Sequence, residues 1–271
     1  MPFSIEQKDG KNGIGACVVR MGDRVTPLTS QEFSTIQHFC ELMSDKLARL
    51  NMNVFIESDF HEFVRLRREI APTAFLPSTW DPTYNDLSFH NSFWLRAVDH
   101  RGRIVATMAQ RVFETESFLD DIRSLRLWCT NGRRDVKGSF GAVECPTAAS
   151  LSGRVGHSGG LWIDPDFRKK NVSGYLDHLS RGLLLKNYWF DHITAVIFEK
   201  LANKGIATRQ YGWPRITGRF EFDLLLGGEL FPIVFCDMSR AEALRRVQRW
   251  LLLPDADSSE ELEKVPELLA D

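Results

Sequence analysis

A mixed α/β chain is the fold class the sequence predicts, and three observations predict it. Two segments open on a capping box and then place apolar residues at helical intervals, Thr29-x-x-Glu32 and Ser239-x-x-Glu242. Two pairs of apolar runs flank glycine turns, at Gly102 and at Gly227-Gly228, as β-hairpins do. Between the hairpins, residues 153–198 pass from a strand pattern through a basic turn into a helix pattern, and then into a second apolar run.

Taken in order, residues 1–28 hold one short strand candidate, "ACVVRM". A helix is predicted over 29–50, with Phe33, Ile36, Cys40, Met43, Leu47 and Leu50 on one face. A second follows Asp59, which can cap it; Phe60, Phe63, Val64 and Ile70 make its face and Pro72 ends it. The segment 71–90 holds three prolines and reads as an ordered loop that exposes Trp80 and Tyr84. The first hairpin turns at "DHRGR", and its second arm, Ile104–Phe113, is long enough for a central strand. Residues 116–128 suit a helix, while 129–150 are rich in turn formers, so 114–153 reads as an insertion.

A strand is predicted over 153–163 and a helix over about 172–187, with Val172, Tyr175, Leu176, Leu179 and Leu183 on its face. The run His192–Phe198 suits a strand buried on both sides. Residues 199–213 look helical but contain Gly205, and the second hairpin covers 219–238. A last helix, 239–253, sets Leu244, Val247, Trp250 and Leu251 to the core, and the acidic tail 254–271 is expected to be loosely held.

Composition excludes some classes. A hydrophobic fraction of 43% with 26% charged residues fits a chain that buries a core. A net charge of −2 supplies no global attraction to nucleic acid or to an anionic membrane, so neither is expected as a partner. The cysteines at 17, 40, 129, 145 and 236 are odd in number and form no CxxC pair. They read as small buried apolar residues in a reducing compartment. His38, His61, His90, His100, His178 and His192 show no metal-ligand spacing, and no metal is expected. The sequence shows neither a signal-peptide pattern nor an apolar run of membrane-spanning length, from which a cytoplasmic location is expected.

The basic turn carries the chemistry. In Asp164-Pro165-Asp166-Phe167-Arg168-Lys169-Lys170-Asn171 three cations precede a helix start, where unpaired amides and the helix dipole favour an anion. The element order and this turn together resemble the GNAT superfamily of CoA-dependent N-acyltransferases over about residues 91–237. The family's strand, x-Pro-x-Phe/Tyr step and Arg/Gln-x-x-Gly-x-Gly/Ala helix start align without gaps on Leu161 to Gly174, with Asn171 in place of glycine and Ser173 in place of glycine or alanine.

What the resemblance implies is a GNAT-like mixed central sheet, split like a V and flanked by helices on both faces. It implies one domain over 1–253 with an N-terminal helical extension and the insertion at 114–153. It implies acetyl-CoA or another acyl-CoA as co-substrate, held by Leu161, Trp162, Ile163, Arg168, Lys169, Lys170, Asn171, Val172, Ser173 and Gly174. The family's acid is a tyrosine four residues before a Gly-Phe pair. Gly212-Trp213 matches the pair, but Thr208 stands at the acid position and the nearest phenol is Tyr211. A threonine hydroxyl is a far poorer proton donor.

A base must also take the proton of the acceptor ammonium. Candidates are His157, beside Ser158-Gly159-Gly160 where a bulge would aim it into the cleft, and Glu144, with Glu114 and Glu116 behind them. Ordinary packing roles for Tyr211 and His157 stay open at this point. Cys145 has no assignable histidine partner. The expected activity is acyl transfer, acetyl first, to an amine of a small molecule or a protein by direct attack, in a pocket made by 71–90 and 114–153 with Trp80, Tyr84 and Trp128. The alternatives are a non-catalytic module binding CoA or a protein partner, and an aminoacyl transferase using charged tRNA, which the net charge disfavours. Monomer and homodimer are both open.

Overall fold

A capping box starts the first helix. In the computed structural model, which describes residues 28–131, 138–224 and 230–256, α1 (Ser30–Arg49) is held by the reciprocal bonds of Thr29 and Glu32, and it buries Ile36, Phe39, Cys40, Met43 and Leu47. Helix α2 (Phe60–Ile70) starts where Asp59 accepts from the His61 and Glu62 amides. Strands β2 (Ser92–Asp99) and β3 (Ile104–Thr115) form the first hairpin. They are followed by α3 (Phe118–Arg123), β4 (Gly138–Glu144), β5 (Gly153–Ile163) and α4 (Val172–Asn187). The chain then runs through β6 (His192–Phe198), α5 (Glu199–Ala202), β7 (Ile216–Leu224), β8 (Phe231–Ser239) and α6 (Arg240–Leu252).

A strand between the first two helices was not expected. Met52–Glu57 forms β1, antiparallel to β2, entered through Asn51 at φ 60. Its six residues between two strong helices carry only one inward triplet, Met52, Val54 and Ile56, too short a pattern to stand out. Four other expectations are corrected. The helix at 116–128 shrinks to six residues, and the insertion contributes the edge strand β4. Residues 199–213 are not one helix: Gly205 at φ 72 breaks them into α5 and a π-helical turn, Ile206–Gln210. Trp80 is buried rather than exposed, and Tyr84 is half-buried. The start of the acidic tail is held, since Ala256 is buried and its carbonyl accepts from Lys46 Nζ at 2.8 Å. The "ACVVRM" segment, Cys17, the Gly227-Gly228 turn and the tail from 257 lie outside the described residues.

The sheet has the order β1-β2-β3-β5-β6-β8-β7-β4, and β5–β6 is its parallel pair. Those two strands pair only from Val155–Ser158 against His192–Ala195, although β5 continues to Ile163 and β6 to Phe198. This is the V-split that the resemblance implies. Helices cover both faces, as predicted. Met108 and Val112 of β3 join the core shared with α1, α4 and α6, and Gln110 donates to Ser180 of α4 at 2.8 Å. Ala109, between them, packs under Phe63 of α2 and Trp80, as the two-residue period of a strand demands. The free cysteines at 40, 129, 145 and 236 are buried. Among the described residues no helix is long and apolar enough to cross a membrane.

Candidate functional site

The split begins at a bulge. Thr107 of β3 opposes Trp162 and Ala109 opposes Gly159, so Met108 faces both Gly160 and Leu161. Gly160 supplies the left-handed residue, φ 61, that this geometry asks for. Just before it, Gly159 lets the Trp80 indole lie against the strand, because a Cβ there would meet the ring at 2.9 Å. Past Ser158 the β6-facing edge of β5 has no strand partner among the described residues.

A cavity of about 200 Å³ fills the split. It is lined from one side by Trp80, His157 and Trp128, and from the other by Asp177 of α4 with Tyr211 and Trp213. Phe198, Phe222, Phe231 and Ile233 make an apolar end. One water needs only about 10–15 Å³ of such space, so this is room for a ligand group.

The basic turn lies at the α4 end. Asp164 caps a short 3-10 turn, Pro165–Phe167, by accepting from the Asp166 amide at 2.9 Å. Lys169 at φ 66 and Asn171 at φ 55 then take left-handed backbone. Asparagine tolerates that conformation better than other side-chain-bearing residues, so the conformation open to glycine is kept without glycine. α1, α2, α3 and α6 each carry a side-chain cap, whereas Asn171 makes none for α4. The first bond of α4 runs from the Tyr175 amide to Asn171 O at 3.1 Å, which leaves the amides of Val172, Ser173 and Gly174 ahead of the helical ladder. Arg168, Lys169 and Lys170 are exposed beside them. Gly174 has to be small: a Cβ would meet Asn171 Oδ1 at 2.4 Å and the Gln210 carbonyl at 3.0 Å. Leu161, Trp162 and Ile163 are half-buried along the open edge of β5.

The structure brings Tyr211 to this place. Its phenol is buried there, and burial with the nearby Asp177 charge pushes it up to about 12. Thr208 is exposed on the π-helical turn. His157 is also in the cavity wall, stacked on Trp80 at 6.0 Å between ring centres with Nδ1 3.0 Å from Thr194 Oγ1. Thr194 donates to Gly156 O at 3.1 Å, so the network assigns the imidazole proton to Nδ1. Burial, helped by the Arg111 charge, holds His157 down at about 3, and a ring that weakly basic is a poor acceptor of a second proton at neutral pH. Glu144 is not brought in: it is exposed on the outermost strand, opposite Arg219. Glu114 is exposed and pairs with Arg154 at 3.3 Å, and Glu116 is exposed. Burial pushes the Cys145 thiol up to about 11, the opposite of an activated nucleophile.

Asp177 is the group the sequence reading missed. It is buried in the cavity wall and paired with Arg181 one helical turn on. Burial, outweighing that guanidinium, pushes its carboxyl up to about 6. The signal was an Asp-x-x-x-Arg pair in the middle of the leucine-rich helix α4. Arg181 also donates to Tyr211 O and lies over the Trp213 ring at 5.1 Å, which ties α4 to the segment carrying the phenol. Among the described residues no group of three or more His, Cys, Asp or Glu side chains is placed to hold a metal.

The buried histidines give the fold an acid-sensitive side. His157 at about 3 and His178, held well below 6.5 by burial and Arg181, are neutral when folded but take up protons near 6.5 once unfolded. The unfolded state therefore binds more protons below about pH 6.5, and stability falls with pH through that window. Asp177, raised from 3.8 to about 6, works against this between those two values. Melting temperature measured from about pH 7.5 to 4 is expected to drop, and His157→Gln is expected to flatten the drop. An unchanged slope in that variant would remove His157 from the account.

No family model and no curated protein sequence matches the chain. Solved structures to which it is similar include Arabidopsis thaliana NAA60 in complex with acetyl-CoA, at 12% identity and TM-score 0.44, with 69% of this chain and 98% of that one covered. Another is an acetyltransferase of the GNAT family from Streptococcus pneumoniae, at 9% identity and TM-score 0.39, covering 69% and 99%. A third is FeeM, an N-acyl amino acid synthase from uncultured soil microbes, at 11% identity and TM-score 0.38, covering 71% and 92%.

Proposed function

We propose that this chain is a CoA-dependent N-acyltransferase of the GNAT type, moving an acyl group from its CoA thioester to an amine of a small molecule or a protein. The observation that carries the reading is one juxtaposition. Two parallel strands part over a cavity, at whose α4 end an uncapped helix start carries three exposed cations and two left-handed residues.

In this reading the amides of Val172, Ser173 and Gly174, with Arg168, Lys169 and Lys170, hold the CoA diphosphate. The open edge of β5 from Leu161 to Ile163 takes the amide-bearing arm as an added strand would be taken. The acceptor nitrogen bonds to the acyl carbon as the carbon–sulfur bond breaks. The sulfur then needs a proton and the nitrogen must lose one. Tyr211, protonated across the neutral range, is the proton donor of the cavity. Asp177, near 6, replaces His157 and Glu144 as the group able to accept one.

Calorimetric titration with acetyl-CoA and CoA tests the binding step, and micromolar affinity is the expected result. For the chemistry, Tyr211→Phe is expected to lower kcat by about 10²-fold or more with KM for acyl-CoA kept. The rate should rise with pH through about 6 and lose that limb in Asp177→Asn. A Tyr211→Phe enzyme with full kcat would reduce the phenol to packing. A second reading has its own observation: Asn171 stands where the family has glycine, and its side-chain oxygen fills the space a Cβ on Gly174 would take. A non-catalytic module on this fold would bind CoA without any turnover.

A further inference from the structure

Two charged side chains line the cavity, and only one of them is compensated. Asp177 has Arg181. Arg67, projecting from α2 and 3% exposed, has no carboxylate within ion-pair distance among the described residues. Its Nη1 makes both of its hydrogen bonds, to Thr107 Oγ1 at 3.0 Å and to Gly160 O at 3.4 Å, and these oxygens are neutral. Nε is buried with no partner, and Nη2 bonds to nothing among the described residues. Burial alone lowers the guanidinium to about 10, so it stays charged at neutral pH.

The other buried arginines without carboxylates differ at their terminal nitrogens, although Nε of Arg111 is likewise buried with no partner. Arg111 uses both terminal nitrogens, on Asn85 Oδ1 at 3.0 Å and Leu127 O at 2.6 Å. Arg240 does the same on the Tyr188 and Leu185 carbonyls at the end of α4. Neither lines the cavity. A buried cation left half-bonded is costly unless something pairs with it, and a guanidinium offers a carboxylate a planar two-point fit. Trp162 backs the guanidinium at 5.7 Å from its ring centre, and the bulge at Gly160 fixes it at the mouth of the strand split.

We infer that Arg67 is a carboxylate-binding residue of this cavity, and that the acceptor amine is an amino acid or another amine carrying a carboxylate. The word acceptor rests on the transferase reading; the carboxylate site does not. The apolar and aromatic walls around Trp80 and Trp128 favour an acid with an apolar side chain.

The test uses matched probes on the full chain without CoA: 3-phenylpropionate against 3-phenylpropanamide by calorimetry, alongside the CoA titration. The acid is expected to bind at least about tenfold tighter than the amide. Arg67→Met, checked by thermal melting, is expected to erase that ratio, and Arg67→Lys to keep part of it. With acetyl-CoA present, L-phenylalanine is expected to be acylated in preference to L-phenylalaninamide. Equal binding of acid and amide, or binding of neither, overturns the inference even if CoA binds normally. A preference for the acid in a protein that ignores CoA upholds the carboxylate site and removes the transferase reading instead. Should Arg67→Met fail to fold, the acid-to-amide ratio of the unmodified chain decides alone.

Discussion

Changing Arg168, Lys169 and Lys170 together to alanine is expected to weaken CoA and acetyl-CoA binding by about 10²-fold or more while leaving the melting temperature almost unchanged. The magnitude follows from three cations, each worth about 1 kcal/mol against a diphosphate, and about 1.4 kcal/mol per factor of ten. The melting temperature should hold because all three side chains are exposed. Their contacts are slight: Arg168 donates to Ile163 O at 3.4 Å, and Lys170 lies 5.0 Å from the Phe167 ring centre. Exposed charges are also screened, so the affinity of the unmodified chain should fall with added salt and that of the variant should respond much less. Calorimetric titration at two salt concentrations reads both effects. If affinity survives the triple change, the cations are only a solvated face. If the unmodified chain gives no heat at all, the loop is architecture without its ligand.

That prediction could be framed from the sequence because the turn is local. Spacing alone placed Asp164, the cations and the start of α4, and the tolerance of asparagine for left-handed backbone was likewise a property of one residue. The same holds for α1 and α6, whose capping boxes and 3.6-residue faces lie within one segment. The meeting of β5 with β6, in contrast, came from the family resemblance, since parallel pairing leaves no local mark. What was illegible depends on which segments meet. Trp80 sits in a proline-rich loop and looked exposed, yet the smallness of Gly159, 79 residues later, makes its berth against β5. His157 looked like a base until burial beside Arg111 lowered it to about 3. Asp177 and Arg67 are ordinary charged residues of two helices in the sequence. Only the cavity between those helices makes one a near-neutral acid and the other an unpaired cation.

Arg181→Met is expected to be the most damaging single change to stability, at about 3–5 kcal/mol, because it leaves a charge buried without its partner. Arg181 is buried in α4, donates to Asp177 and to Tyr211 O, and sits 3.0 Å from His178 Nδ1. Methionine matches the volume but supplies none of those donors, against a total stability of about 5–15 kcal/mol. The sign of the pH dependence separates lost charge from lost packing. Asp177 already stands near 6 with its partner present, and without it the folded carboxyl rises further above its ordinary 3.8. Its penalty therefore grows as pH climbs past about 6 and is relieved below, so the gap between variant and unmodified chain should narrow in mild acid. His178, freed from the guanidinium that depresses it, moves the gap in the same direction. Adding Asp177→Asn to Arg181→Met should recover part of the loss, with a coupling of about 1–3 kcal/mol in a denaturant-unfolding cycle. Additive losses that ignore pH would mean that the pair is held by packing alone. Tyr211 would then owe its place to the Trp213 and α4 contacts rather than to the ion pair.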